Sequence, residues 1–210
     1  VNWGLISANA IVFIGEVVYT QNFAPEQTAK LFDSLGAVPY RVYGSLLGHQ
    51  TYWVGTLFTS MFLHAGLTHI FGNMLFLFVF GDNVEDRLGH GRYLLFYLAS
   101  GVAGGLAQVY LAMSAGYPDM LIPSVGASAA ISGVLAAYLV FFPGARVLSI
   151  VGYFIMPIRA LWFIGIWFLL QLLYVLGGVS SDVAYWAHVG GFLFGLVVAF
   201  ALKRLEPVEY

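Results

Sequence analysis

The chain has 210 residues, of which 60% are hydrophobic and 9% charged, with a mean hydropathy of +0.87 and a formal net charge of -2. Soluble domains draw about 25% of their residues from the charged set, so this chain lacks the polar matter to cover a water-facing surface, and its apolar abundance excludes disorder. The charge leaves no basic footprint for nucleic acid, and the absence of Cys excludes disulfides, thiolate metal sites and a Cys nucleophile.

The apolar content is enough for about six membrane spans of about 20 residues each. The first runs over residues 3–19. It has no basic leader and carries Glu16, unlike a signal peptide, and a start at Val1 rather than Met is what a trimmed chain would show. Residues 20–52 mix Pro25, Glu26, Lys30, Asp33, Pro39 and Arg41 with apolar clusters. That stretch is too long for a bare loop, so it is expected to form short helical pieces at the membrane interface. The second span is expected over 53–80 and holds His64, His69 and Asn73. A polar turn over 81–91 follows, then a third span over 92–114 and a Pro-bearing loop over 115–125. The fourth span, 126–142, is short, rich in small residues and stopped by Pro143-Gly144. A loop with Arg146 and Pro157 leads to the fifth span, 158–176. The turn 177–182 precedes the sixth, 183–202. The pattern predicts an all-α polytopic membrane protein, one domain over 1–210, with six spans and a long interfacial first loop. Six of the eight Lys and Arg fall after spans two, four and six, which places both termini in the cytoplasm. No internal repeat supports a transporter.

Polar side chains in hydrocarbon are costly and mark function. His69 and Asn73, four residues apart, share one helix face. Ser128 follows Pro123 and Gly126 and falls in the first turn of a helix, where unpaired N–H groups suit an oxyanion. His188 lies beside a stripe of Ala187, Gly191 and Gly195, and the fourth span offers a matching small face in Ser128, Ala129, Ser132, Gly133 and Ala136. Contact between those helices would give Ser128 a base. A serine nucleophile needs both a base and an oxyanion site. Asp182, six residues before His188, is about 9 Å away along a helix. It does not reach the imidazole, so a Ser–His dyad is expected rather than a triad. A metal or haem site on His64, His69 and His188 is disfavoured, because His64 and His69 would lie about 140° apart on one helix.

Three separated motifs carry a family resemblance: His64-Ala65-Gly66-Leu67-Thr68-His69-Ile70-Phe71-Gly72-Asn73, Gly126-Ala127-Ser128-Ala129, and Ala187-His188-Val189-Gly190-Gly191 with Gly195. In this order they resemble the rhomboid intramembrane serine proteases, in the compact six-helix prokaryotic form. The resemblance implies Ser128 as nucleophile and His188 as base and then acid. It implies His69, Asn73 and the Ser128 N–H as oxyanion donors, with Gly126, His64 and Gly191 in support and Glu85 with Arg87 as a structural polar pair. It also implies a single-span transmembrane substrate cut near its outer end, a prokaryotic inner membrane as the location, movement of the fifth helix to admit the substrate, and no cofactor or metal. Two positions depart from the family pattern. Ala129 stands where Gly is usual and would crowd the oxyanion site or the contact with the last helix. Ser132 stands where an aromatic ring usually covers the catalytic His and is a candidate hydrogen-bond partner for His188. The rival reading is a catalytically weak or inactive rhomboid-like protein that binds membrane clients.

Overall fold

A computed structural model describes residues 1–151, 153–177 and 183–205. Six apolar helices carry the fold: α1 (Asn2–Tyr19), α5 (Leu67–Leu88), α6 (His90–Ala115), α7 (Ser128–Phe141), α8 (Ala160–Leu176) and α9 (Tyr185–Leu205). Four of them, α1, α5, α6 and α9, are long and apolar enough to cross a membrane, while α7 and α8 are shorter. The expected interfacial stretch folds as α2 (Pro25–Leu35) and α3 (Pro39–Leu46). Each starts on a Pro, whose missing N–H costs nothing in a first turn.

The second span differs from expectation. Residues 51–62 form a 3-10 turn, the four-residue helix α4 (Thr56–Thr59) and another 3-10 turn, and α5 begins only at Leu67. Gly66, at φ +156°, breaks the run. Hydropathy alone does not register such a break, because the residues on both sides are apolar. At the other end the expected polar turn 81–91 is mostly helix: α5 runs to Leu88 and α6 starts at His90, with Gly89 alone between them at φ +77°. Two of the acidic residues there are taken up by partners inside the protein, while Asn83, Asp86 and His90 stay exposed. The buried Asn2 amide donates to Asp82 Oδ1 (2.7 Å) and the Leu77 carbonyl (3.1 Å), and its oxygen accepts from the Tyr93 hydroxyl (2.7 Å). Glu85 accepts from the Asn2 N–H and pairs with His90, while Arg87 lies over the Phe141 ring. This network fastens α1, α5 and α6 together at one end.

An antiparallel hairpin, β1 (Arg146–Val151) and β2 (Phe154–Arg159), stands where a loop is expected. Its register pairs Arg146 with Arg159, and the Ala160 N–H donates to the Ala145 carbonyl, so the hairpin ties the end of α7 to the start of α8.

The core centres on α7, most of whose residues are buried. A helix apolar all round belongs inside a bundle. It packs most extensively against α9 and also against α6 and α5. Backbones meet there because side chains are missing: a Cβ on Gly191 would lie 2.1 Å from the Ala129 carbonyl oxygen, and one on Gly195 would lie 2.5 Å from Gly133 Cα.

Candidate active site

At 14 residues, α7 is about 21 Å long, less than the roughly 30 Å of a hydrocarbon core. Residues 122–127 form the segment that leads into it. That segment is pinned by paired hydrogen bonds between Ala37 and Ser124 (3.0 Å each) and by the Gly126 N–H donating to the Ser60 carbonyl (2.8 Å). Ser128 opens the helix, where first-turn N–H groups have no intrahelical acceptor.

The stripe packing of α7 on α9 brings His188 to Ser128, with Nε2 2.7 Å from Oγ. On its other edge, His188 Nδ1 lies 2.8 Å from Oε1 of Gln171 on α8. The imidazole is flanked by the rings of Trp167 (centroids 6.0 Å apart) and Tyr185 (6.3 Å). Ser132 does not reach it. Its hydroxyl donates back to the Ser128 carbonyl at 2.6 Å, the usual resort of a helical Ser, and Trp167 of α8 supplies an aromatic wall instead. The Ala129 methyl packs towards α6, 2.8 Å from where a Cβ on Gly104 would sit. The glycine at 104 makes room for it.

His69 faces the same spot from α5. A Cβ on Gly126 would lie 2.8 Å from His69 Nε2 and 3.7 Å from Ser128 Oγ, so both border the space that Gly126 leaves empty. The Ala65 N–H donates to His69 Nδ1 (3.2 Å), which puts the ring proton on Nε2 and turns a donor towards that space. The buried Asn73 amide donates to the His69 carbonyl at 2.9 Å, leaving one N–H for other use. His64 is fully buried, and its ring meets that of His69 edge to face at 5.1 Å. The separation of about 140° expected on one continuous helix does not apply, because the break at Gly66 lies between them. Asp182 lies outside the described residues.

Two residues absent from the sequence-based candidates shape the site. Glu16 of α1, 3% exposed, accepts the His64 N–H through both carboxylate oxygens (3.1 Å each) and so fastens the segment that leads into α5. Gln171 is the other. Each is a lone polar group in an apolar run, and that is itself a signal of function in a membrane helix.

Gly126→Ala is expected to be harmful twice over: φ +124° strains any side chain, and its methyl would press on the His69 ring. Labelling of Ser128 by a fluorophosphonate should slow by about tenfold or more as the donor geometry loosens.

A family model described as "Rhomboid domain" matches residues 49–205. Rhomboid protein 1, mitochondrial, of Saccharomyces cerevisiae is 28% identical over 173 residues, covering 78% of this chain and 42% of that protein. Rhomboid protease GluP of Bacillus subtilis is 39% identical over 95 residues, 45% of this chain and 17% of that one. Putative rhomboid protease YdcA of Bacillus subtilis is 30% identical over 154 residues, 73% of this chain and 70% of that one. The chain thus spans less than half the length of the first two relatives.

Proposed function

Because this chain belongs to the rhomboid family, a family of integral membrane proteins, we propose that Ser128 and His188 are the nucleophile and the base of an intramembrane serine endopeptidase. The observation that carries the reading is the 2.7 Å contact between His188 Nε2 and Ser128 Oγ beside an unfilled space faced by a His69 donor. Oγ attacks the scissile carbonyl carbon as its proton passes to Nε2. The carbonyl oxygen, now negative, is held by His69 Nε2–H, the Ser128 N–H and the second amide hydrogen of Asn73. The imidazolium returns its proton to the leaving amine, and water then repeats the sequence on the acyl-enzyme. No cofactor enters these steps. Exposure agrees with the roles of Ser128, His69 and His188, which are partly open, and of the supporting His64 and Gln171, which are buried; Asn73 is buried as well and would reach the oxyanion with its amide end alone. Packing of the Ala129 methyl over Gly104 favours catalysis over the client-binding alternative.

The substrate is a single-span protein whose helix unwinds near its outer end, since a helical amide is shielded by its own hydrogen bonds. The resemblance to compact prokaryotic members favours a prokaryotic inner membrane, and the Lys and Arg distribution favours both termini in the cytoplasm. The test is cleavage of a model single-span substrate in liposomes, with Ser128→Ala and His188→Ala beside the parent. Cleavage by the parent alone is expected. No cleavage by the parent and no fluorophosphonate labelling at Ser128 would overturn the reading.

A further inference from the structure

We propose that Gln171 is the positioning residue of this site: its side-chain oxygen holds the His188 imidazole as the Nδ1–H tautomer, so that the Nε2 lone pair faces the Ser128 hydroxyl. The catalytic consequence rests on the protease reading above; the hydrogen bond does not. Gln171 is 7% exposed, and its Nε2 points at the Trp167 carbonyl one turn earlier, at 3.4 Å. Turning the amide over would set its oxygen against that carbonyl oxygen, two acceptors with no proton between them. The oxygen therefore faces α9, 2.8 Å from His188 Nδ1. An amide oxygen only accepts, so the imidazole proton sits on Nδ1 and Nε2 is left basic, 2.7 Å from Ser128 Oγ. Donors and acceptors then run head to tail from Ser128 through His188 and Gln171 to Trp167, each bond polarising the next.

An amide does this without a charge. A carboxylate in its place would bring one into the span, where charge is costly. During acylation the Ser128 proton moves to Nε2 as the Oγ–C bond forms and the carbonyl π pair moves to oxygen. The proton then leaves on the amine as the C–N bond breaks. The Nδ1–H bond to Gln171 persists throughout. Without that acceptor the imidazole is free to carry its proton on Nε2, which donates to Oγ and cannot take its proton.

Nitrogen NMR of isotope-labelled histidine tests this in the full chain in detergent, with the His188 signals assigned by their loss in His188→Ala. The parent is expected to show protonated Nδ1 and unprotonated Nε2 at neutral pH. Gln171→Met, similar in volume but with no oxygen acceptor, is expected to move the proton to Nε2 and to slow fluorophosphonate labelling of Ser128 by about tenfold or more. A parent with Nε2–H overturns the proposal. So does a Met variant that keeps the parent's tautomer, whatever its labelling rate. If the Met variant does not fold, the parent spectrum decides alone. A parent that shows Nδ1–H yet fails to label or cleave would sink the protease reading and leave the positioning role of Gln171 standing.

Discussion

Ser128→Ala is expected to lower substrate cleavage by about 10⁴-fold or more while leaving the melting temperature nearly unchanged. In the proposed mechanism the hydroxyl is the attacking atom, so its loss would remove the covalent route altogether. The cost to the fold is small: Ser128 is partly exposed, and the carbonyl that Ser132 uses is retained. His188→Ala should be nearly as damaging, and the double variant no worse than either single, because nucleophile and base act as a unit. Cleavage assays in liposomes read the rate, and thermal unfolding in detergent confirms the fold. Additive losses in the double variant would mean that the two side chains act separately, contrary to their 2.7 Å contact.

Gly191→Ala should give the largest change in stability. Its added methyl would lie 2.1 Å from the Ala129 carbonyl oxygen and 2.9 Å from its carbon, which are backbone atoms of α7 that cannot rotate aside. The helices must separate, at a cost of about 3 kcal/mol. The separation falls at Ala129, next to the Ser128 N–H, and at Gly191, one turn from His188, so activity drops with the melting temperature. Gly165→Ala on α8 is the control: nothing lies within 4 Å of its added methyl, and greater helix propensity predicts a gain of about 0.5–1 kcal/mol. Equal melting temperatures for the two variants would refute the close-packing account.

Features governed by local chemistry were legible in the sequence. His69 and Asn73 share a face by spacing, Ser128 is placed in a first turn by Pro123 and Gly126, and the stripe of Ala187, Gly191 and Gly195 announces a close helix contact. Features governed by partners distant in sequence were not. The polar run after residue 81 resembles a turn until Asn2, itself held by Tyr93, is seen to donate to Asp82 and Glu85. The strands over 146–159 contain Pro157 and flank the expected fifth span, so their pairing is lost in a continuous apolar signal. The replacement for the missing aromatic cover comes from a different helix, as Trp167, and no local pattern around Ser132 points to it. Gln171 was visible as one amide among apolar neighbours, but only the fold shows that it meets His188.

The strands between α7 and α8 turn α8 into a lever. Its base is fixed where Ala160 bonds to Ala145 and Val147 packs into the core, while beyond that base only Ile164 and Gln171 of the helix are buried. Gln171 stands 11 residues along the arm, about 16 Å from the fulcrum. A rigid swing of about 10° there displaces its amide by about 3 Å, roughly the length of the bond to His188. A tilt of that size would part the Gln171 oxygen from His188 Nδ1, and what opposes it is the aromatic packing of the arm, above all Phe168 stacked on Phe192 of α9 at 4.0 Å.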